Sequence, residues 1–144
     1  MDYFKARVAA TLAGTLLGVG PGMAAADVVA VVSAKCPVTT LSKNQVADIF
    51  LGKSTRFPDG SAAVPIDQAE GSPSREEFYL TFSGKSPAQL NAHWSKMIFT
   101  GRGQPPGEVA NGADVKRRLA ENPNAIGYLD PALVDARVKA VTTP

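Results

Sequence analysis

Three hydrogen-bonding side chains, Ser72, Ser74 and Arg75, fall together in the segment Gly71-Ser72-Pro73-Ser74-Arg75. Their types suit the capture of an oxyanion. A serine followed by a proline opens a helix, with the serine as N-cap and the proline at the first helical position. Such a helix start carries amide donors without intrahelical partners and a partial positive charge, and both attract an anion. Ser72 and Ser74 add hydroxyl donors, and Arg75 adds a forked guanidinium whose charge-assisted bonds are the strong ones. The same residues also describe an ordinary capped helix, so the local pattern leaves both readings open.

Other chemistries find less support. Cys36 is the only cysteine and His93 the only histidine. No internal disulfide can form, a zinc site of the usual ligand types lacks its ligands, and a Cys36–His93 nucleophile lacks a shared element and an orienting third group. Glu76 and Glu77 are adjacent on a helix and point roughly 100° apart, so they cannot converge as an acid/base pair. They suit the positive end of their helix instead. Gly101-Arg102-Gly103 lacks the spacing of a nucleotide loop, and Lys116-Arg117-Arg118 reads as the solvated end of a helix. The chain therefore reads as a non-enzyme without metal or cofactor.

The elements that must position the Ser72 corner are marked locally. Residues 1–26 read as a secretory signal: Lys5 and Arg7 precede an apolar run from Val8 to Val19, and small residues lead to cleavage after Ala26. That run is shorter than the roughly 18 residues of a spanning helix, so no membrane span is expected after cleavage. A periplasmic address follows. The 118 residues from Asp27 onward carry 13 basic and 12 acidic side chains. That length fits one domain, and that balance offers no argument for nucleic acid or an acidic membrane as partner.

Within residues 27–144 the valine-rich run 27–34 reads as a strand buried on both faces. Ser42 and Gln45 form a capping box before a helix over 43–51 that stops at Gly52. Residues 62–67 read as a second strand, with Pro65 arguing for an edge or a strand end. Helices follow from Pro73 and over 87–98. The second carries a core-facing stripe of Leu90, Trp94, Met97 and Ile98, and Phe99 is expected in the core with Phe50, Phe78 and Phe82. Residues 99–107 are too rich in glycine and proline for regular structure. A helix over 114–121 and strands over 125–129 and 137–141 complete an α/β pattern with a mostly parallel sheet flanked by helices.

Read in order, these elements resemble the phosphate-binding proteins that serve phosphate ABC transporters. A helix ending in Ile49-Phe50-Leu51-Gly52-Lys53 precedes the Ser72 loop, and Ile126-Gly127-Tyr128 follows a late helix, so the resemblance runs from Val28 to Tyr128. It implies one lobe of a type 2 periplasmic-binding-protein-like fold and non-covalent capture of inorganic phosphate or a related oxyanion. The family loop looks like R-x-x-x-S-G-T, which falls here on Gln68, Ser72, Pro73 and Ser74. The resemblance thus supports Ser72 and Ser74 and adds Gln68 to the candidate ligand residues Gly71, Ser72, Ser74 and Arg75 of the helix start. The neutral Gln68 stands where the family has arginine, and Pro73, without an N–H, where it has glycine. Family members clamp the anion between two lobes, and this chain has length for one. The resemblance implies an ABC permease as partner, or a second copy of the chain. A lobe that has lost binding and serves as an interaction or self-pairing module is the alternative.

Overall fold

The computed structural model describes residues 27–144; the signal segment expected over residues 1–26 lies outside the described residues. The chain runs β1 (Val29–Ser33), α1 (Lys43–Phe50), β2 (Val64–Gln68), α2 (Pro73–Ser83), α3 (Pro87–Phe99), β3 (Gly107–Val109), α4 (Gly112–Glu121), β4 (Ala125–Leu129) and β5 (Val138–Ala140), with a 3-10 turn at Pro131–Leu133. The strands form one sheet in the order β3-β2-β4-β1-β5. β2 is parallel to β3 and β4, while β1 is antiparallel to β4 and β5. Four of the five strands thus share a direction, as a mostly parallel α/β sheet requires, and β1 is the reversed one.

Helix starts follow their capping residues. The Ser42 amide donates to Gln45 Oε1 at 2.8 Å and the Gln45 amide to Ser42 Oγ at 3.0 Å; Ser86 and Gln89 repeat the exchange at 2.9 and 3.3 Å. α4 begins at Gly112, earlier than the expected Asp114, because the Asn111 side chain accepts from the Asp114 amide at 3.1 Å and caps the helix.

Alternation along the strands sorts the core onto two faces. Ala30, Val32, Ile126 and Tyr128 pack with Phe50 of α1, Phe78 and Phe82 of α2, and Leu90 and Trp94 of α3. On the other face Val31, Ile66, Ala125 and Leu129 meet Val115 and Leu119 of α4. Gly127 is the point of closest approach there, since a Cβ on it would lie 2.6 Å from Val115 Cγ1.

Of the two places expected for Pro65, an edge or a strand end, the structure has the second: β2 lies inside the sheet, but its pairing with β3 begins only at Ile66, so the proline stands at the strand's half-paired start. Two expectations are corrected. Gly107, expected at the end of an irregular connection, begins the short strand β3. Phe99 is 92% exposed and Ile98 50%: in the last turn of α3 it is Met97 that packs against the core, and the two residues after it are on the solvent side. Among the described residues no helix is long and apolar enough to cross a membrane.

Candidate functional site

The Ser72 corner lies where β2 hands over to α2, and Gly71, with φ 85°, makes the turn. The Ser72 amide donates to the Ala69 carbonyl at 3.0 Å, and Ser72 Oγ accepts from the Arg75 amide at 3.4 Å. The Glu76 amide reaches the Ser72 carbonyl at 3.1 Å, and Pro73 has no N–H. Among the described residues the amides of Gly71 and Ser74 and the Ser74 hydroxyl have no partner. The Ser72 hydroxyl accepts as a cap, and its own O–H likewise has no acceptor there.

Arg75 turns back along the body. Its Nη1 donates to the Gln68 carbonyl at 3.0 Å and to Glu108 Oε1 at 2.5 Å, and its side chain is only 12% exposed. Burial works against its charge, but nearby Asp67 and Glu108 outweigh that and hold the guanidinium more firmly protonated than usual. Gln68 faces inward: its Nε2 donates to the Tyr128 carbonyl at 2.9 Å, which ties β2 to β4. The structure therefore brings Gly71, Ser72, Ser74 and Arg75 to one corner and directs the Gln68 side chain beneath it.

Beneath the corner lies a polar cluster that the sequence reading missed. Asp67, 2% exposed, accepts from Tyr79 Oη through Oδ2 at 2.5 Å, and from Tyr128 Oη through Oδ1 at 2.5 Å. The Gln68 amide adds a third donor to Oδ1 at 2.9 Å. Burial pushes the Asp67 carboxyl above its ordinary value, and the tyrosine hydrogen bonds and Arg75 oppose that push. Burial and then the Asp67 charge raise both phenols, so they stay protonated donors. Phe78 stacks on Tyr128 with centroids 4.1 Å apart and planes 6° from parallel. Together these contacts fix the end of β2, the first turns of α2 and the middle of β4 against one another, and so set where the α2 N-terminus stands. The available signal was a lone acid at the end of the apolar run AAVPID and a tyrosine inside the apolar run AIGYL.

A cleft of about 190 Å³ opens beside Gly71 and Arg75 and reaches Lys85 at the start of α3. Glu70 and Glu76 also line it, so its charge is mixed. His93 is half-buried, and its Nε2 bonds the Leu51 carbonyl at 2.8 Å, closing the end of α1. Cys36 is buried and free. Lys116 and Arg117 pair with Asp135 and Asp114.

Solved structures share this architecture. A protein from Clostridium perfringens, described as a phosphate ABC transporter substrate-binding protein and crystallised with phosphate, aligns with TM-score 0.65 and 23% identity over 81% of this chain and 44% of its own. An ABC-type phosphate transport receptor from Vibrio cholerae aligns with TM-score 0.62 and 18% identity over 81% of this chain and 46% of its own. PstS from Borrelia burgdorferi follows with TM-score 0.59 and 14% identity over 81% and 47%. The chain spans less than half the length of each, and the fold is PstS-like over that part. No protein-family model and no curated protein matches the chain in sequence.

Proposed function

We propose that this chain is a solute-binding lobe of the cell envelope that captures phosphate or a related oxyanion non-covalently at the Gly71–Arg75 corner, for an ABC permease. The observation that carries this reading is the set of unpartnered donors at the positive end of α2: the Gly71 and Ser74 amides and the Ser74 hydroxyl. The likeness to phosphate-binding proteins over most of the chain supports it. In this reading Ser74 donates to the anion, Ser72 holds the helix start, and Gln68 braces the floor. Arg75 supplies charge at the rim, partly offset by Glu108. Donors facing water gain little by exchanging it for a ligand, so useful affinity calls for a second wall, from another lobe or a second copy of the chain.

Isothermal titration with inorganic phosphate tests the reading. Ser74→Ala removes a donor to a charged ligand and is expected to weaken binding about tenfold. Glu108→Gln releases Arg75 from its carboxylate partner and is expected to strengthen it. Phosphate binding that ignores both changes, or silence in the wild-type protein at millimolar phosphate, overturns the assignment. The commitment of Arg75 to Glu108 favours a second reading, a self-pairing or docking module without a solute; sedimentation showing a phosphate-independent dimer would support it.

A further inference from the structure

Two helices of this chain end in the same way. α1 closes on Ile49-Phe50-Leu51-Gly52-Lys53 and α3 on Ile98-Phe99-Thr100-Gly101-Arg102, both of the form I-F-x-G-cation. In each the glycine is left-handed, with φ 74° at Gly52 and 68° at Gly101. The Gly52 amide donates to the Ile49 carbonyl at 3.3 Å and the Lys53 amide to the Asp48 carbonyl at 2.8 Å. At the second end Gly101 reaches Ile98 at 3.1 Å and Arg102 reaches Met97 at 2.9 Å. This double closure fixes the backbone of the cation that follows.

The side-chain environments of the two copies differ. Ile49 and Phe50 are core residues, while Ile98 and Phe99 are exposed. What the copies share is the glycine and its cation, and both cations line one groove of about 620 Å³, with Lys96 and His93 on its α3 side and Gly52 and Met97 completing it. The groove wall is closely packed at Gly52, where a Cβ would lie 3.1 Å from Trp94 Cη2.

Lys53, Lys96 and Arg102 are exposed and make no ion pair or side-chain hydrogen bond among the described residues. No acidic side chain lines the groove. The opposing charge comes from the C-terminal ends of α1 and α3, each worth about half a negative charge. Both ends are already partly satisfied, the first by His93 on the Leu51 carbonyl and the second by Thr100 Oγ1 on the Lys96 carbonyl at 2.8 Å. Three full positive charges against about one negative leave the groove strongly basic, in a chain whose described residues are nearly neutral.

The geometry points to this groove as a second anion site, separate from the α2 corner, for a ligand carrying two or more phosphate-class groups. A single orthophosphate would engage one or two exposed cations that water and salt already screen. A polyanion spans all three at once, and its second and third contacts form at high effective concentration. The shared chemistry is met by a soluble polyphosphate or by clustered phosphate headgroups, beside which Phe99 would reach the lipid.

The test titrates the chain with inorganic tripolyphosphate at low salt and, separately, floats it with phosphatidylglycerol or phosphatidylcholine vesicles. The triple variant Lys53→Gln, Lys96→Gln, Arg102→Gln alters only exposed side chains, and a second triple, Lys35→Gln, Lys43→Gln, Arg118→Gln, removes the same charge elsewhere. The expected result is binding of tripolyphosphate, or of phosphatidylglycerol vesicles alone, that falls about tenfold or more in the groove variant and weakens with salt. It is expected to survive in the control variant and in Ser74→Ala, so failure of the α2 corner leaves it standing. Equal loss in both triple variants, or no binding to either probe, overturns the site.

Discussion

Replacing Tyr79 by phenylalanine deletes one oxygen and strands another. Asp67 Oδ2 receives its hydrogen bond from Tyr79 Oη, whereas Oδ1 receives two, from Tyr128 Oη and the Gln68 amide. Tyr79→Phe therefore leaves a buried carboxylate oxygen without a donor, and Tyr128→Phe leaves Oδ1 with the Gln68 amide. A lost bond that orphans a buried charged acceptor costs about 2–3 kcal/mol, and one that leaves a remaining partner about 1 kcal/mol. For a chain of this size each kcal/mol moves Tm by about 4 °C, so Tyr79→Phe is expected to lower Tm by about 10 °C and Tyr128→Phe by about half that. Thermal melting followed by circular dichroism measures both. The pH dependence adds a sign. Because burial raises the Asp67 carboxyl in the folded chain, its contribution is most favourable below the ordinary aspartate range and falls as pH rises from there through the raised folded value. Losing the Tyr79 hydroxyl raises the folded value further, so the Tyr79→Phe deficit is larger at neutral pH than at acid pH. Equal costs for the two variants, or a deficit that grows on acidification, would refute an ionised Asp67 held by three donors.

Further outcomes follow from single contacts. Ser72→Ala removes the α2 cap, whose bond to the Arg75 amide is long at 3.4 Å, and is expected to cost about 0.5–1 kcal/mol in urea titration while leaving phosphate affinity in the folded protein unchanged. Gly127→Ala drives a Cβ to 2.6 Å from Val115 Cγ1, and about 1–3 kcal/mol of stability is expected to be lost; adding Val115→Ala should recover part of it.

How much was legible follows the range of each interaction. Ser42 with Gln45, and Ser86 with Gln89, announced their helices because a capping box is closed within four residues. The strand of residues 29–33 was equally plain, but its antiparallel direction was not, since a valine run carries no arrow. β3 was missed because its order comes from pairing with β2, across α2 and α3. The candidate corner was visible as Ser72-Pro73-Ser74, yet the roles within it were not. Gln68 is claimed by a carbonyl on β4 and Arg75 by Glu108 on β3, both through contacts that only the folded sheet creates. Asp67 escaped for the same reason, its tyrosine partners lying on α2 and β4. Phe99 reads as core by hydrophobicity alone, and nothing local says that Met97 takes the inward side of the last α3 turn in its place.

The reversed strand has a consequence for the order in which the molecule can be made. β1 is held between β4 and β5, so the first of the described strands to be synthesised has no neighbour until residues 125–140 have followed it. Thr40 likewise bridges to Thr142, and the Leu41 amide to the Thr142 carbonyl, two residues before the last residue described. A nascent chain stopped short of β4 has neither flank of β1 and cannot close its sheet, so this non-local pairing forms late. Truncation before Val138 is accordingly expected to leave β1 as an unpaired edge strand of the sheet.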